Sequence, residues 1–181
     1  KFIDRYVPFS HDIAAKVNKL PHIMTDEYVY LDTDQIAMGT YSPLIGFMNR
    51  DEIHSVLNRN QLPTGEVWTL PIVFQTETSI MSRFSDGDEV VLVRETTNKP
   101  YAILCINDIY VFDVSLVVKK WFQTDNISHP GVKRLQENGD CFVGGEIFFI
   151  RDEIEKDQYL LTPRQTRMIF EHKGWISVLA F

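Results

Sequence analysis

Apolar residues recur along this chain with two alternating periods, and the points where the period changes predict its elements. Ser10 precedes Ile13, Ala14, Val17 and Leu20, which are spaced as on one face of a helix, and Pro21 predicts that helix's end. A polar turn at 25–27 leads into the aromatic run 28–31, which reads as a short strand. Asn49 stands where a helix cap would, with Glu52 three residues on as its reciprocal partner and Ile53, Val56 and Leu57 as the face to be buried. Gly65 lies in the turn beyond.

From Trp68 the pattern shortens to apolar or alternating runs at 70–76, 89–94 and 101–112, separated by Asp86-Gly87-Asp88 and Asn98-Lys99-Pro100. Such spacing predicts a small barrel or sandwich. Val114, Val117, Val118 and Trp121 return to helical spacing, and 142–150 reads as a further strand. Gly144-Gly145 inside it predicts a bulge or a close backbone approach, because glycine otherwise weakens a strand. Thr162-Pro163 opens a last helix that Lys173-Gly174 closes. The nearly all-apolar run 175–181 follows, as the buried parallel sheet of an α/β domain would require. The expected boundary falls at 157–163, giving a mainly β domain over 1–160 and the start of a second, α/β domain over 161–181. A strand with Trp175, Ile176, Val178, Leu179 and Phe181 needs cover, so it is expected to pack back on the first domain or to be shared between chains.

Composition narrows the class. With 181 residues, 44% of them hydrophobic, the chain can bury a real core, and no apolar run approaches the roughly 20 residues of a membrane helix. No membrane contact is expected. The net charge of −7 disfavours polyanions over most of the surface. Cys105 and Cys141 are far apart in sequence and sit in or beside apolar runs, which predicts free thiols and a cytoplasmic setting rather than a disulfide or a metal site. The first residues lack the apolar stretch of a signal peptide.

Chemistry-bearing patterns are sparse. Neither Gly-x-Gly-x-x-Gly nor Gly-x4-Gly-Lys-Ser/Thr occurs, and Gly144-Gly145-Glu146 lacks the following helix that a phosphate loop needs. His11, His22, His54, His129 and His172 are scattered, with no two at zinc-ligand spacing, and Ser79, Ser82 and Ser85 lack the nucleophile elbow. Asp32 with Asp34 and Asp86 with Asp88 are close pairs, the second best read as turn formers. In 38–48, Gly39, Pro43 and Gly46 force turns while Tyr41, Leu44 and Phe47 remain free to pack. The segment 124–132, with Asp125 and His129-Pro130-Gly131-Val132, could serve a ligand, a helix start or an interface.

Taken in order, these segments resemble the ATP sulfurylase (sulfate adenylyltransferase) family. The matching blocks are Ile36-Ala37, Gly39, Ser42-Pro43-Leu44, Gly46-Phe47-Met48 and Asp51; Trp68 and Pro71-Ile72; Gly87-Asp88 with Val90 and Leu92; and Pro100 and Ala102. His129-Pro130-Gly131-Val132, Val143-Gly144-Gly145, Thr162-Pro163, Arg167, and Gly174-Trp175 with Val178 and Ala180-Phe181 complete them. The resemblance implies a PUA-like β-barrel with flanking helices, followed by the first helix and strand of a nucleotide-binding α/β domain. It implies the reaction of ATP with sulfate to give adenosine 5′-phosphosulfate and pyrophosphate, with magnesium. The family's Gln-Thr-Arg-Asn-Pro and Gly-Arg-Asp-His segments would lie beyond Phe181. No catalytic, cofactor-binding or metal-binding residue is therefore expected here, and ATP, sulfate and magnesium belong to the full enzyme. The piece would supply scaffold and an oligomer interface. Two departures stand out: Gln123 replaces the usual glycine before Thr124-Asp125, and 59–65 differs from the usual arginine-leucine pattern. PUA-like folds also occur in RNA-binding modules, and a stand-alone interaction domain is a third reading. The acidic charge opposes RNA, since the basic and aromatic residues cluster only at Lys119-Lys120-Trp121-Phe122.

Overall fold

The computed structural model describes residues 2–151 and 161–179. Its elements run β1 (Tyr6–Pro8), α1 (His11–Lys19), β2 (His22–Thr25), α2 (Glu27–Met38), β3 (Gly46–Phe47), α3 (Arg50–Arg59), β4 (Phe74–Thr76), α4 (Thr78–Met81), β5 (Glu89–Arg94), β6 (Lys99–Val111), α5 (Val114–Phe122), α6 (Pro130–Glu137), β7 (Cys141–Arg151) and α7 (Pro163–Lys173). The strands form one mixed sheet in the order β1-β7-β6-β5-β2. Along one edge β7 pairs with β6. Along the other it pairs in turn with β4 at 141–143, β3 at 145–146 and β1 at 149–151, the last in parallel. Three short segments from distant parts of the chain thus make up one interrupted neighbour of β7.

The alternation read in 89–94 and 101–106 divides two cores. Val90, Leu92, Ala102 and Leu104 face the main core, while Val91, Val93 and Ile103 face a smaller one closed by Val17 of α1. Several polar groups drawn into the interior find partners, as burial demands. The Tyr110 hydroxyl donates to the Met48 carbonyl at 2.7 Å, and Thr25 Oγ1 bonds the Val93 carbonyl at 3.2 Å.

Local signals account for most of the helices. Ser10 caps α1 through Ile13 N, and Asn49 and Glu52 form the expected capping box of α3. The run 28–31, expected as a strand, is instead the first turn of α2. Asp26 caps it through Val29 N at 2.8 Å, Gly39 closes it at φ 89°, and Val29, Thr33, Ile36 and Ala37 form its buried stripe. The aromatic residues that suggested β structure, Tyr28 and Tyr30, lie to the side of that stripe. Only 74–76 of the expected strand 70–76 is paired.

The glycine pair in β7 does mark a close approach. A Cβ on Gly144 would stand 2.7 Å from Cα of Asn49, and one on Gly145 would strike the Cys105 main chain. The register shift lies opposite, in β6 between Ile106 and Asp108.

Gln123 is the C-cap of α5 and adopts the left-handed conformation at φ 57°. A side chain is strained there by roughly 1 kcal/mol, while its amide recovers part of that by donating to the Lys120 carbonyl at 2.8 Å. Glycine, the residue usual in the resembled family, fits the geometry without strain. Gln123→Gly is therefore expected to raise stability by about 0.5 kcal/mol, a shift of about 2 °C in a thermal melt. A lowered midpoint would show that the side-chain bond outweighs the backbone strain.

Candidate interdomain surface

The residues singled out as candidates for chemistry are dispersed over the fold. On α2, Asp32 accepts from the Tyr41 hydroxyl at 3.2 Å and Asp34 from the Tyr6 hydroxyl at 2.6 Å. Burial raises the Asp32 carboxyl, and burial beside Asp32 pushes Tyr41 up to about 12. Both pairs fasten α2 to its neighbours. Asp88 accepts from Ser85 N at 2.9 Å in the turn built on Gly87. His129 caps α6 through Val132 N and packs on Phe122 with ring centroids 4.7 Å apart, so 129–132 is a helix start. In the loop 38–48, Leu44 and Phe47 are buried, and Gly46–Phe47 supplies β3.

Cys105 and Cys141 are free thiols. Burial and the neighbouring Glu89 carboxylate push the Cys105 thiol up to about 11, which leaves it a poor nucleophile near neutrality. Among the described residues, no three of His, Cys, Asp and Glu stand close enough to hold a metal ion, and no helix is long and apolar enough to cross a membrane. Lys119 pairs with Asp125 at 3.4 Å, Lys120 bonds Asn58, and Trp121 and Phe122 pack against the core. The two aromatics of this segment are thus taken up by the core, while Lys119 stays largely in water.

What the structure leaves uncovered lies at the other end. Helix α7 begins with a capping box between Thr162 and Gln165, carries Pro163 in its first turn, and ends on Gly174 at φ 66°, as its sequence predicts. It is attached through charge and aromatic edges rather than through a packed face. Arg164 pairs with Asp4 at 2.8 Å, and the guanidinium groups of Arg164 and Arg167 lie over the Phe2 ring at 5.6 and 5.5 Å. A groove of about 560 Å³ remains between α7 and the end of α2, walled by Met38, Leu161, Pro163 and Phe170. No residue of α7 is buried, and Met168 is 65% exposed.

The expected strand after α7 is absent from the described residues. Residues 175–179 are irregular, with Ile176 fully exposed and Leu179 78% exposed. A strand exists only by pairing its backbone with a neighbouring strand, and among the described residues no strand pairs with this segment. The expected packing back on the first domain is thereby corrected. Residues 157–160 of the expected boundary at 157–163, and the end of the run at Ala180 and Phe181, lie outside the described residues. Leu161, Met168, Trp175, Ile176, Val178 and Leu179 are large apolar side chains about half or more exposed, which makes this end of the chain a candidate interaction surface.

Comparison with known proteins places this geometry. The domain family described as "PUA-like domain" matches residues 2–152. Sulfate adenylyltransferase of Persephonella marina is 36% identical over 175 residues, covering 94% of this chain and 45% of that protein. The Aeropyrum pernix enzyme is 37% identical over 170 residues, covering 92% and 44%, and that of Pyrococcus abyssi 35% over 171, covering 93% and 44%. The chain thus spans somewhat under half the length of these relatives. Among solved structures, "Hexameric APS kinase from Thiobacillus denitrificans" superposes with a TM-score of 0.67 at 20% identity, over 97% of this chain and 31% of that one, a likeness of fold.

Proposed function

Because the chain belongs to the PUA-like domain family, with sulfate adenylyltransferases as its relatives, we propose that it is the amino-terminal, non-catalytic part of such an enzyme. In this reading the complete protein joins ATP and sulfate into adenosine 5′-phosphosulfate and pyrophosphate in the cytoplasm. The observation that carries it is the apolar surface of α7 and 175–179, uncovered in a chain that matches only 45% of its relative's length. The domain would provide a rigid base on which the catalytic half docks, with 161–181 as the first piece of that half.

Sulfate is a weak nucleophile, so its activation depends on aligning an oxygen with the α-phosphorus and neutralising charge on both anions. In this reading the groups that align and neutralise the two anions belong to the catalytic half, and this chain's own share of the work is structural. An RNA-binding role finds less support, since the chain carries a net charge of −7 and Trp121 and Phe122 of its basic and aromatic run are packed against the core.

The test compares two proteins. The 181-residue chain is expected to show no exchange of pyrophosphate into ATP and no sulfate-dependent pyrophosphate release. The product of the coding region read past Phe181 is expected to show both. Turnover by the short chain at the rate of the long one, or a long product that lacks it, would overturn the proposal.

A further inference from the structure

Helix α2 distributes its side chains in reverse. A helix on the surface of a globular protein normally turns its charged residues to water and its apolar ones inward. Here the two most exposed residues are Tyr28, at 61%, and Leu31, at 48%. The three acids of the helix are taken up by the fold instead: Glu27 pairs with Arg94, Asp32 accepts from the Tyr41 hydroxyl and Asp34 from the Tyr6 hydroxyl. Tyr28, Leu31, Gln35 and Met38 follow one another at three- and four-residue spacing, so they share one stripe about 15 Å long. At its far end Gln35 and Met38 wall the groove whose other side is formed by Leu161 and by Pro163, Thr166 and Phe170 of α7.

The near end of the stripe is fixed in place. The Arg134 guanidinium of α6 lies 4.4 Å from the centre of the Tyr28 ring and is itself held by Asp26 at 3.3 Å. A ring positioned before contact loses little freedom on binding, and tyrosine and arginine are the residue types that most often carry the energy at the centre of an interface. The outer stripe of α2 and helix α7 therefore border one groove, and a single body seated there would cover both. The catalytic half of the proposed enzyme is such a body. In that reading it follows α7 directly, and its size is ample, since this chain matches only 45% of the Persephonella marina enzyme.

Resting on that reading, we infer that the catalytic half closes over the outer stripe of α2 as well as over α7, burying Tyr28 and Leu31. The covering surface is apolar opposite Leu31 and Met38 and supplies a polar partner to Gln35, which burial would otherwise strand. Hydroxyl-radical footprinting, with an added reporter peptide fixing the radical dose, compares the 181-residue chain with the product of the coding region read past Phe181. Oxidation at Tyr28 and Leu31 is expected to fall roughly fivefold or more in the longer protein, as for side chains at the core of an interface. Leu31→Lys is expected to leave the melting midpoint of the short chain within about 2 °C and to lower that of the longer protein by roughly 5 °C or more, since only there does the charge enter a covered face. Equal oxidation in the two proteins, or lysine tolerated equally by both, while the longer one exchanges pyrophosphate into ATP, would overturn this inference and leave the proposed function standing. Protection without exchange would support the docking surface and overturn the activity assigned to its partner. Protection confined to the short chain and rising with its concentration would assign the stripe to a second copy and overturn the inference.

Discussion

Gly46→Ala is expected to destabilise the fold by about 3–5 kcal/mol, enough to lower the melting midpoint by roughly 10 °C. The added Cβ would lie 2.6 Å from the carbonyl carbon of Gly145 and 2.8 Å from Cα of Glu146. Both are main-chain atoms of β7, which no rotamer change can move aside. Relief requires β3 to separate from β7, breaking the Gly46↔Glu146 and Phe47↔Gly145 pairs and the bond from Ile147 N to the Ile45 carbonyl at 3.1 Å. Leu44, Phe47 and Met48 would be drawn out of the main core with it. Gly65→Ala is the control, because nothing stands within 4 Å of that position although its φ is 102°. It should cost only the conformational term of about 1 kcal/mol. Equal losses in the two variants, measured by calorimetry, would show that crowding against β7 is not what requires glycine at 46.

Removing 174–181 is expected to have the opposite signature: a melting midpoint unchanged within about 2 °C and a marked fall in self-association. A side chain contributes to stability by leaving water on folding, and Trp175, Ile176, Val178 and Leu179 do so little here. The same exposure favours contact with other copies of the chain. Light scattering over a range of concentrations should show the truncated chain smaller at the highest concentrations, and Ile176→Asp with Leu179→Asp should reproduce most of the effect. A fall in the midpoint beyond 5 °C on truncation would instead make the tail part of the first domain's own core.

Much of this architecture was legible because its signals are local. Asn49 with Glu52, Thr162 with Pro163, and the alternation of Val90 to Val93 each declare an element within a few residues, and the structure forms all of them. Errors arose where a local preference competes with a tertiary one. The run 28–31 carries β-favouring residues, yet its helical stripe of Val29, Thr33, Ile36 and Ala37 has a buried face to fill, and burial decides. The signal was present in Asp26 as a cap and in the three- and four-residue spacing after it. β1, β2 and β3 are two to four residues long and owe their existence to β7 or β5, so no periodicity could announce them. The tail after Gly174 shows the converse: its composition suits a buried strand, yet among the described residues 175–179 pair with no strand.

The interrupted edge of β7 bears on how the domain comes into being on the ribosome. β1, β3 and β4 all lie within the first 76 residues, yet each takes its backbone partner from 141–151. Until that stretch emerges, the three segments are unpaired and α2 lacks the strand it packs against, although β2, β5 and β6 can already pair and cover Val17 of α1. Contacts of such long sequence separation form late, because the entropy of closing the loop is lost before the pairing returns it. Translation therefore runs nearly to the end of the domain before the nascent chain can commit to its fold, and slow synthesis or early stalling would leave behind a sticky, unclosed intermediate that depends on chaperones.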